Sequence, residues 1–228
     1  MHLVSAEQQT EVTTALANRL RVLELGGASL NVVRALATIG LPTYFAGAVA
    51  DDDFGRRIIE RLVSLEIAHH VKTTDSQMTG CCIVLVTPDH ERTMLTHLGA
   101  SREIDEHSVP VSVIKNAKVF HGSAYQWDTP SQKLALKKAI ACAREHKVAV
   151  SFDLADPFVV ERDRTDLMRE IIPLSQIVFA NRDEARLLLG RDDPAALAAE
   201  LNAHGTIAVI KLGALGALIK APGQAAIQ

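Results

Sequence analysis

The sequence has no run of about 18 apolar residues, the length that a membrane-spanning helix requires. It has no block of lysine and arginine either, and its net charge is −3. The first absence predicts no membrane span, and the second leaves no positive stripe for non-specific nucleic-acid binding. Residues 1–9 are polar and lack the apolar stretch of a secretory leader, so a cytoplasmic location is expected. Cysteine is scarce, with only Cys81, Cys82 and Cys142. The adjacent pair points to opposite faces of an extended segment, which suits neither a shared metal nor a bridge. All three read as reduced packing cysteines. The nine histidines are scattered, and His69-His70 have no carboxylate or cysteine at ligand spacing. The Gly-x-Gly-x-x-Gly fingerprint of a dinucleotide site is missing, which weighs against a nicotinamide-dependent oxidoreductase. No internal repeat and no low-complexity linker is visible.

What is present is enough apolar material for a full core. Of 228 residues, 48% are hydrophobic and 22% charged. That supports one large domain, or one plus a small appendage. Residues 5–21 read as a polar helix. A stronger helix is predicted over 30–39, with Val32, Val33, Leu36 and Ile39 apolar, ended by Gly40 and Pro42. A strand follows at 43–49, then a helix capped by Asp52 or Asp53 that runs to Leu65 with Ile58, Ile59, Leu62 and Leu65 inward. Residues 81–87 and 93–98 read as a hairpin about Pro88-Asp89. From Ser101 onward short apolar strands (118–121, 148–153, 176–180, 207–211) alternate with helices (130–146, 162–172, 183–189, 194–204), and a further strand starts at 217. That alternation implies parallel βαβ units with helices on both faces of the sheet.

In such a sheet ligands bind outside the carboxyl ends of the strands, so the residues just after each strand matter most. Before the first of them, Gly26-Gly27-Ala28-Ser29-Leu30-Asn31 exposes backbone at a helix start and sets an amide one turn on. This suits hydroxyl recognition, or is a plain loop-to-helix turn. Asn181-Arg182-Asp183-Glu184 follows a strand and opens a helix. It reads either as a capping box or as a site where Glu184 lies near a hydrated Mg²⁺ and Asn181 near a phosphate. Asp153-Leu154-Ala155-Asp156-Pro157-Phe158 ends another strand. Its acids either orient polar ligands or cap turns, and Phe158 either stacks on a ring or belongs to the core. Lys211-Leu212-Gly213-Ala214-Leu215-Gly216 is either a hairpin-like turn or a loop passing close to a nucleotide.

Taken in order, these segments resemble the ribokinase-like (PfkB family) kinases, and within them the adenosine-kinase-like bacterial branch. The resemblance also takes in the run Val49 to Gly55, Val86-Thr87-Pro88-Asp89 leading to Glu91-Arg92-Thr93-Met94, and Leu98-Gly99-Ala100. It implies an α/β fold: a Rossmann-like, mostly parallel sheet with helices on both faces, plus a small β lid. Residues 1–228 would form a single, incomplete ribokinase-like domain whose lid hairpin covers about 80–99. It further implies transfer of the ATP γ-phosphate to a hydroxymethyl group of a sugar or nucleoside, adenosine-like before ribose- or fructose-type. Gly26, Gly27 and Asn31 match sugar-hydroxyl positions, and Phe158 matches a phenylalanine beside the base. Asn181 and Glu184 match the motif that organises phosphate and Mg²⁺, the metal being held through water. Lys211, Gly213 and Gly216 match the segment beside ATP.

Three departures stand out. Ala50 replaces a common glycine. No strand is predicted before residue 5, so the family's N-terminal substrate-binding aspartate has no counterpart. The Gly-Ala-Gly-Asp segment, which supplies the general base and an anion hole in the family, is absent from the 228 residues, so the chain is expected to be incomplete. The rival expectation is a degenerate, non-catalytic sugar- or nucleoside-binding protein. A homodimer through the lid is expected from apolar Ile83, Leu85, Met94 and Leu98 on the hairpin.

Overall fold

The computed structural model describes residues 2–19 and 22–228. The end of the predicted 5–21 helix therefore falls outside the described residues. The chain forms two compact units, one up to Ser108 and one from Val109.

The first unit carries two small sheets. In one, strand β2 (Tyr44–Ala50) pairs in parallel with β3 (Ala68–Thr74). The helices α2 (Ala28–Thr38) and α3 (Asp53–Ser64) belong to this layer. Their small core is Leu30, Leu62 and Ile67, with Val33, Phe45, Ile58 and Val71 packed against it. Of the predicted apolar stripe of α2, Val32, Val33 and Leu36 are half-buried, with Val33 packed against the buried Leu30, whereas Ile39, just past the helix, is 71% exposed. Strand β3 escaped the sequence reading, because Ala-His-His-Val-Lys-Thr-Thr shows neither an apolar run nor clean alternation.

The second sheet has the order β1-β5-β4. Strands β4 (Cys81–Val86) and β5 (Arg92–His97) form the predicted antiparallel hairpin, with Val86 opposite Arg92. Strand β1 (His2–Leu3) runs parallel to β5. This corrects the expectation that no strand precedes residue 5; a two-residue strand leaves no periodic signal. It leads into α1 (Ala6–Ala15), started by a Ser5/Gln8 capping box. The hairpin's exposed residues differ from those expected. Val84, Val86 and Met94 are exposed, while Ile83, Leu85 and Leu98 are half-buried.

The run from Ala50 to Gly55 is explained by a polar knot. Asp52 caps α3, accepting from the Gly55 N–H at 2.8 Å and from Thr79, whose N–H and hydroxyl donate at 2.8 and 2.7 Å. The Thr79 hydroxyl in turn accepts from the Ala50 N–H at 2.9 Å. Burial pushes the Asp52 carboxyl upward, but these bonds outweigh it and hold it below its ordinary value. Only glycine fits at Gly55, since a Cβ there would lie 2.1 Å from the Ala50 carbonyl oxygen.

The second unit is a five-stranded sheet of order β10-β9-β8-β7-β6. β6 (Val119–Ser123), β7 (Ala149–Asp153), β8 (Ile177–Asn181) and β9 (Ile207–Lys211) are parallel, and β10 (Ala217–Lys220) returns antiparallel. Val150, Ser151 and Phe152 are consecutive and all buried. Successive side chains point to opposite faces, so both faces of β7 are covered. The helices are α4 (Val111–Ile114), α5 (Pro130–Glu145), α6 (Pro157–Asp166), α7 (Arg182–Leu189) and α8 (Pro194–Asn202). α5 starts on a Thr129/Gln132 capping box with Pro130 in its first turn. α6 begins five residues before the predicted start, because Asp156 caps it and Pro157 opens it. One continuous core runs from Trp127 through Phe152, Leu167, Leu188 and Leu201 to Ile210.

Candidate functional site

In the second unit, the carboxyl ends of the parallel strands gather charged and polar side chains. β7 ends on Asp153, β8 on Asn181 and β9 on Lys211. Asn181 and Lys211 are register partners. The Lys211 Nζ lies 3.1 Å from both carboxylate oxygens of Asp153, a bond across 58 positions of sequence.

Asn181 and Glu184 form a closed capping box. The Asn181 side chain accepts from the Glu184 N–H at 2.8 Å, while Glu184 accepts from the Asn181 N–H at 2.8 Å and from its side-chain amide at 2.7 Å. Glu184 is 1% exposed. Burial raises its carboxyl above the ordinary value, with the Asn181 N–H and the Lys211 charge opposing. His121, on β6, bonds through Nδ1 to the Ser151 hydroxyl at 3.0 Å and meets Phe179 edge-on. Burial lowers its pKa, and the Lys211 charge adds to that against the opposing pull of Asp153.

The segment after β7 is bent sharply. Ala155 sits in the left-handed region at φ 64°, held by its N–H donating to Asp153 at 3.0 Å. Asp156 accepts from the Phe158 N–H at 2.8 Å and from the Tyr125 hydroxyl at 3.3 Å. This fixes Phe158 in the first turn of α6 with 45% of its surface exposed, rather than in the core. Gly213 and Gly216 lie in the turn joining β9 to β10, which closes with the Leu212 N–H donating to the Gly216 carbonyl at 2.8 Å.

In the first unit, Gly26, Gly27 and Asn31 stand at the start of α2 and are exposed. Gly27 has φ 123°, a conformation that side-chain-bearing residues rarely adopt. No side chain caps this helix, so its first N–H groups keep donor capacity. The Asn31 N–H donates to the Gly27 carbonyl at 2.8 Å, and its side-chain oxygen lies 3.5 Å from Arg34. Arg34 also bonds the Leu25 carbonyl and lines a cleft of about 420 Å³ with Leu23, Glu24, Arg57 and Arg61.

Two groups of candidates thus form within their own units: Gly26, Gly27 and Asn31 in the first, and Asp153, Asn181, Glu184 and Lys211 in the second. His121, Tyr125 and the Asp153–Lys211 pair were missed from the sequence. The signal for the pair was available, since both residues end parallel strands. His121 ends the strand predicted at 118–121, but it has no partner at short spacing, and the structure carries that strand on to Ser123. Among the described residues no group of three His, Cys, Asp or Glu is placed to hold a metal ion by protein ligands alone. Mg²⁺ instead keeps most of its waters and uses one or two carboxylates with phosphate oxygens. Glu184 fits that lesser demand, because each of its oxygens accepts a bond from Asn181 and retains further acceptor capacity. No described helix is long and apolar enough to cross a membrane.

Residues 1–227 match the family described as pfkB family carbohydrate kinase. Among solved structures, the adenosine kinase from Sinorhizobium meliloti superposes with a TM-score of 0.90 at 28% identity, covering 100% of this chain and 69% of that one. A probable sugar kinase from Rhizobium etli CFN 42 gives 0.89 at 31% identity, covering 100% and 68%. Probable fructokinase-7 from Arabidopsis thaliana is 29% identical over 177 residues, which is 74% of this chain and 51% of that protein. The chain spans about half the length of the curated relatives it matches first. Its mostly parallel α/β layer is the ribokinase-like fold, and the chain belongs to the pfkB carbohydrate kinase family.

Proposed function

We propose that this chain belongs to an ATP-dependent kinase that phosphorylates a hydroxymethyl group of a sugar or nucleoside, with adenosine-like substrates ahead of ribose- and fructose-type sugars. The observation that carries the reading is the family match over residues 1–227, joined to the likeness to an adenosine kinase over the whole chain. Phe158, with nearly half its surface open to a ligand, favours a nucleobase over a bare sugar. In this reading residues 1–228 are one ribokinase-like domain with a lid hairpin at about 80–99.

Gly26, Gly27 and Asn31 hold the sugar hydroxyls, with backbone donors at an uncapped helix start and an amide that both donates and accepts. Phe158 stacks on the base. Asn181, Lys211, Gly213 and Gly216 serve the nucleotide phosphates, and Glu184 orients a hydrated Mg²⁺ through water. Bound Mg²⁺ would supply charge neutralisation on the transferring phosphate. Lys211 brings a cation to the same strand ends, and its pairing with Asp153 fixes where that cation points. The buried Glu184–Asn181 box keeps the carboxylate from swinging, so orientation costs little at the moment of reaction.

A cytoplasmic location and a homodimer through the lid belong to the same proposal. Exposed Val84, Val86 and Met94 support an apolar contact, and a monomer in sedimentation at high concentration would remove the dimer from it. The second reading is ligand recognition without transfer, the rival expectation raised from the sequence.

The test is a panel of adenosine, ribose and fructose with Mg²⁺-ATP, read as phosphorylated product by mass spectrometry and as binding by calorimetry. Product with adenosine supports the kinase reading. Binding without product at any ATP concentration supports the second. Neither binding nor product with any member contradicts both.

A further inference from the structure

Phe158 is held in more ways than a surface aromatic needs. Its backbone N–H is fixed by Asp156, which also accepts from the Tyr125 hydroxyl. Its ring is covered on one side by Arg162, one helical turn later, whose guanidinium carbon lies 5.7 Å from the ring centroid. Arg162 is not a loose surface cation. Its Nε donates to Asp163 at 2.7 Å, and its Nη1 donates to Asp128 at 2.8 Å. The two carboxylate side chains are only 11% and 12% exposed.

Asp163 is set apart by its backbone. It leaves helical geometry at φ −113°, ψ 19° inside α6. There its carboxylate meets both Arg162 and Lys133, the latter at 3.3 Å. Lys133 bonds Asp166 at 3.0 Å as well. Asp166 accepts from the indole N–H of the fully buried Trp127 at 3.1 Å. Arg162 is therefore anchored, through Asp163 and Lys133, to the core of the unit.

We propose that Arg162 is a positioning residue: clamped by Asp128 and Asp163, it backs one face of Phe158 and holds the ring ready for a flat nucleobase on the other. This rests on the nucleoside-kinase reading above and adds to it how the stacking face is kept in place. A planar guanidinium lies over a ring while its N–H groups donate in the guanidinium's own plane to two carboxylates, a combination that an ammonium does not reproduce. A ring already immobilised spares the ligand the entropy of ordering it.

The experiment titrates adenosine and ribose into the purified chain and into Arg162→Ala, Arg162→Lys and Phe158→Leu. The nitrogen-bound proton of Arg162 Nε is followed by NMR, and thermal melting checks the fold. Arg162→Ala is expected to weaken adenosine about 3- to 10-fold, the scale of ordering one side chain, and to leave ribose unchanged. Arg162→Lys should recover part of that loss. Phe158→Leu should remove the ring-current shift from the Arg162 signal. A purely structural role would instead lower the melting temperature and weaken both ligands alike. If Phe158→Leu weakens adenosine while Arg162→Ala does not, the inference is overturned and the nucleoside reading stands. If the wild-type chain binds ribose but no nucleoside, the nucleoside reading is overturned and the inference with it. If Arg162→Ala does not fold, the lysine variant decides: adenosine affinity equal to wild type overturns the inference, and a selective loss supports it.

Discussion

The unit from Val109 and the unit up to Ser108 keep the carboxyl ends of their parallel strands in place by different means. In the later half a continuous apolar core holds the sheet. Phe152 on β7 and Ile210 on β9 are completely buried, and the candidate side chains Asp153 and Lys211 each stand one residue beyond them. In the earlier half the buried hydrophobic cluster among the described residues is Leu30, Leu62 and Ile67, and polar knots take over. Asp52 ties the end of β2 and the start of α3 to Thr79. Lys72 on β3 bonds Asp105 at 2.8 Å and the Glu103 carbonyl at 2.9 Å, which fixes the chain ahead of Ser108. Where a core is thin, geometry rests on hydrogen bonds whose loss is expensive, because each leaves a partner unsatisfied.

The largest effect should come from the apolar side of this contrast. Phe152→Ala should cost about 3–5 kcal/mol, read in urea unfolding through Trp127, the lone tryptophan. A loss under about 1 kcal/mol would mean that the later half does not depend on its core. Next comes the knot. Gly55→Ala forces a Cβ against the Ala50 carbonyl and should cost about 1–3 kcal/mol. Hydrogen exchange should rise in β2 and α3 and stay unchanged in β6 to β9; a uniform rise would erase the distinction.

Acid separates the halves more finely. The Lys72 ammonium and the Ser108 donors hold the Asp105 carboxyl well below its ordinary 3.8. The unfolded chain therefore takes up that proton first, and stability that is present above pH 3.8 is lost as pH falls further. His121 acts in another window. Its folded pKa lies below 6.5, so the unfolded chain protonates first and stability falls as pH drops from 6.5. Glu184 has the opposite sign: its raised pKa means that stability is lost as pH rises above 4.5. Asp105→Asn should flatten the pH dependence below 3.8 and leave the fall near 6.5 intact. Should it flatten both, the two windows are not separate. The smallest effect is expected at Ala155, whose left-handed backbone glycine adopts without strain. Ala155→Gly should stabilise by up to about 1 kcal/mol, and a destabilised variant would show that the methyl group packs usefully.

Much of the fold was legible because its signals are local. The strands of the later half are apolar runs closed by capping residues, and the helices predicted to start at 130, 183 and 194 begin at Pro130, Arg182 and Pro194. The early start of α6 was missed because Asp156-Pro157 was read as the tail of a strand. β1 and β3 were missed because two residues, or an irregular mix of histidine and threonine, carry no period. The candidate residues that sequence singled out lie at helix starts and strand ends, where local chemistry marks them. That Asp153 and Lys211 each end a strand was readable, but their bond, like the surroundings of His121 and Tyr125, depends on the folded order of the elements, which brings together residues 58 positions apart and is invisible to spacing.

The central claim of the proposed function is that the uncapped start of α2, with Asn31, holds a sugar hydroxyl of the substrate. Calorimetric titration of adenosine into wild type and Asn31→Ala tests it most directly. The account predicts saturable one-site binding to the wild type and at least about tenfold weaker binding to the variant, the scale of a lost amide that both donates and accepts. Equal affinity in the two proteins, or no saturable binding of adenosine or ribose to the wild type, would contradict it.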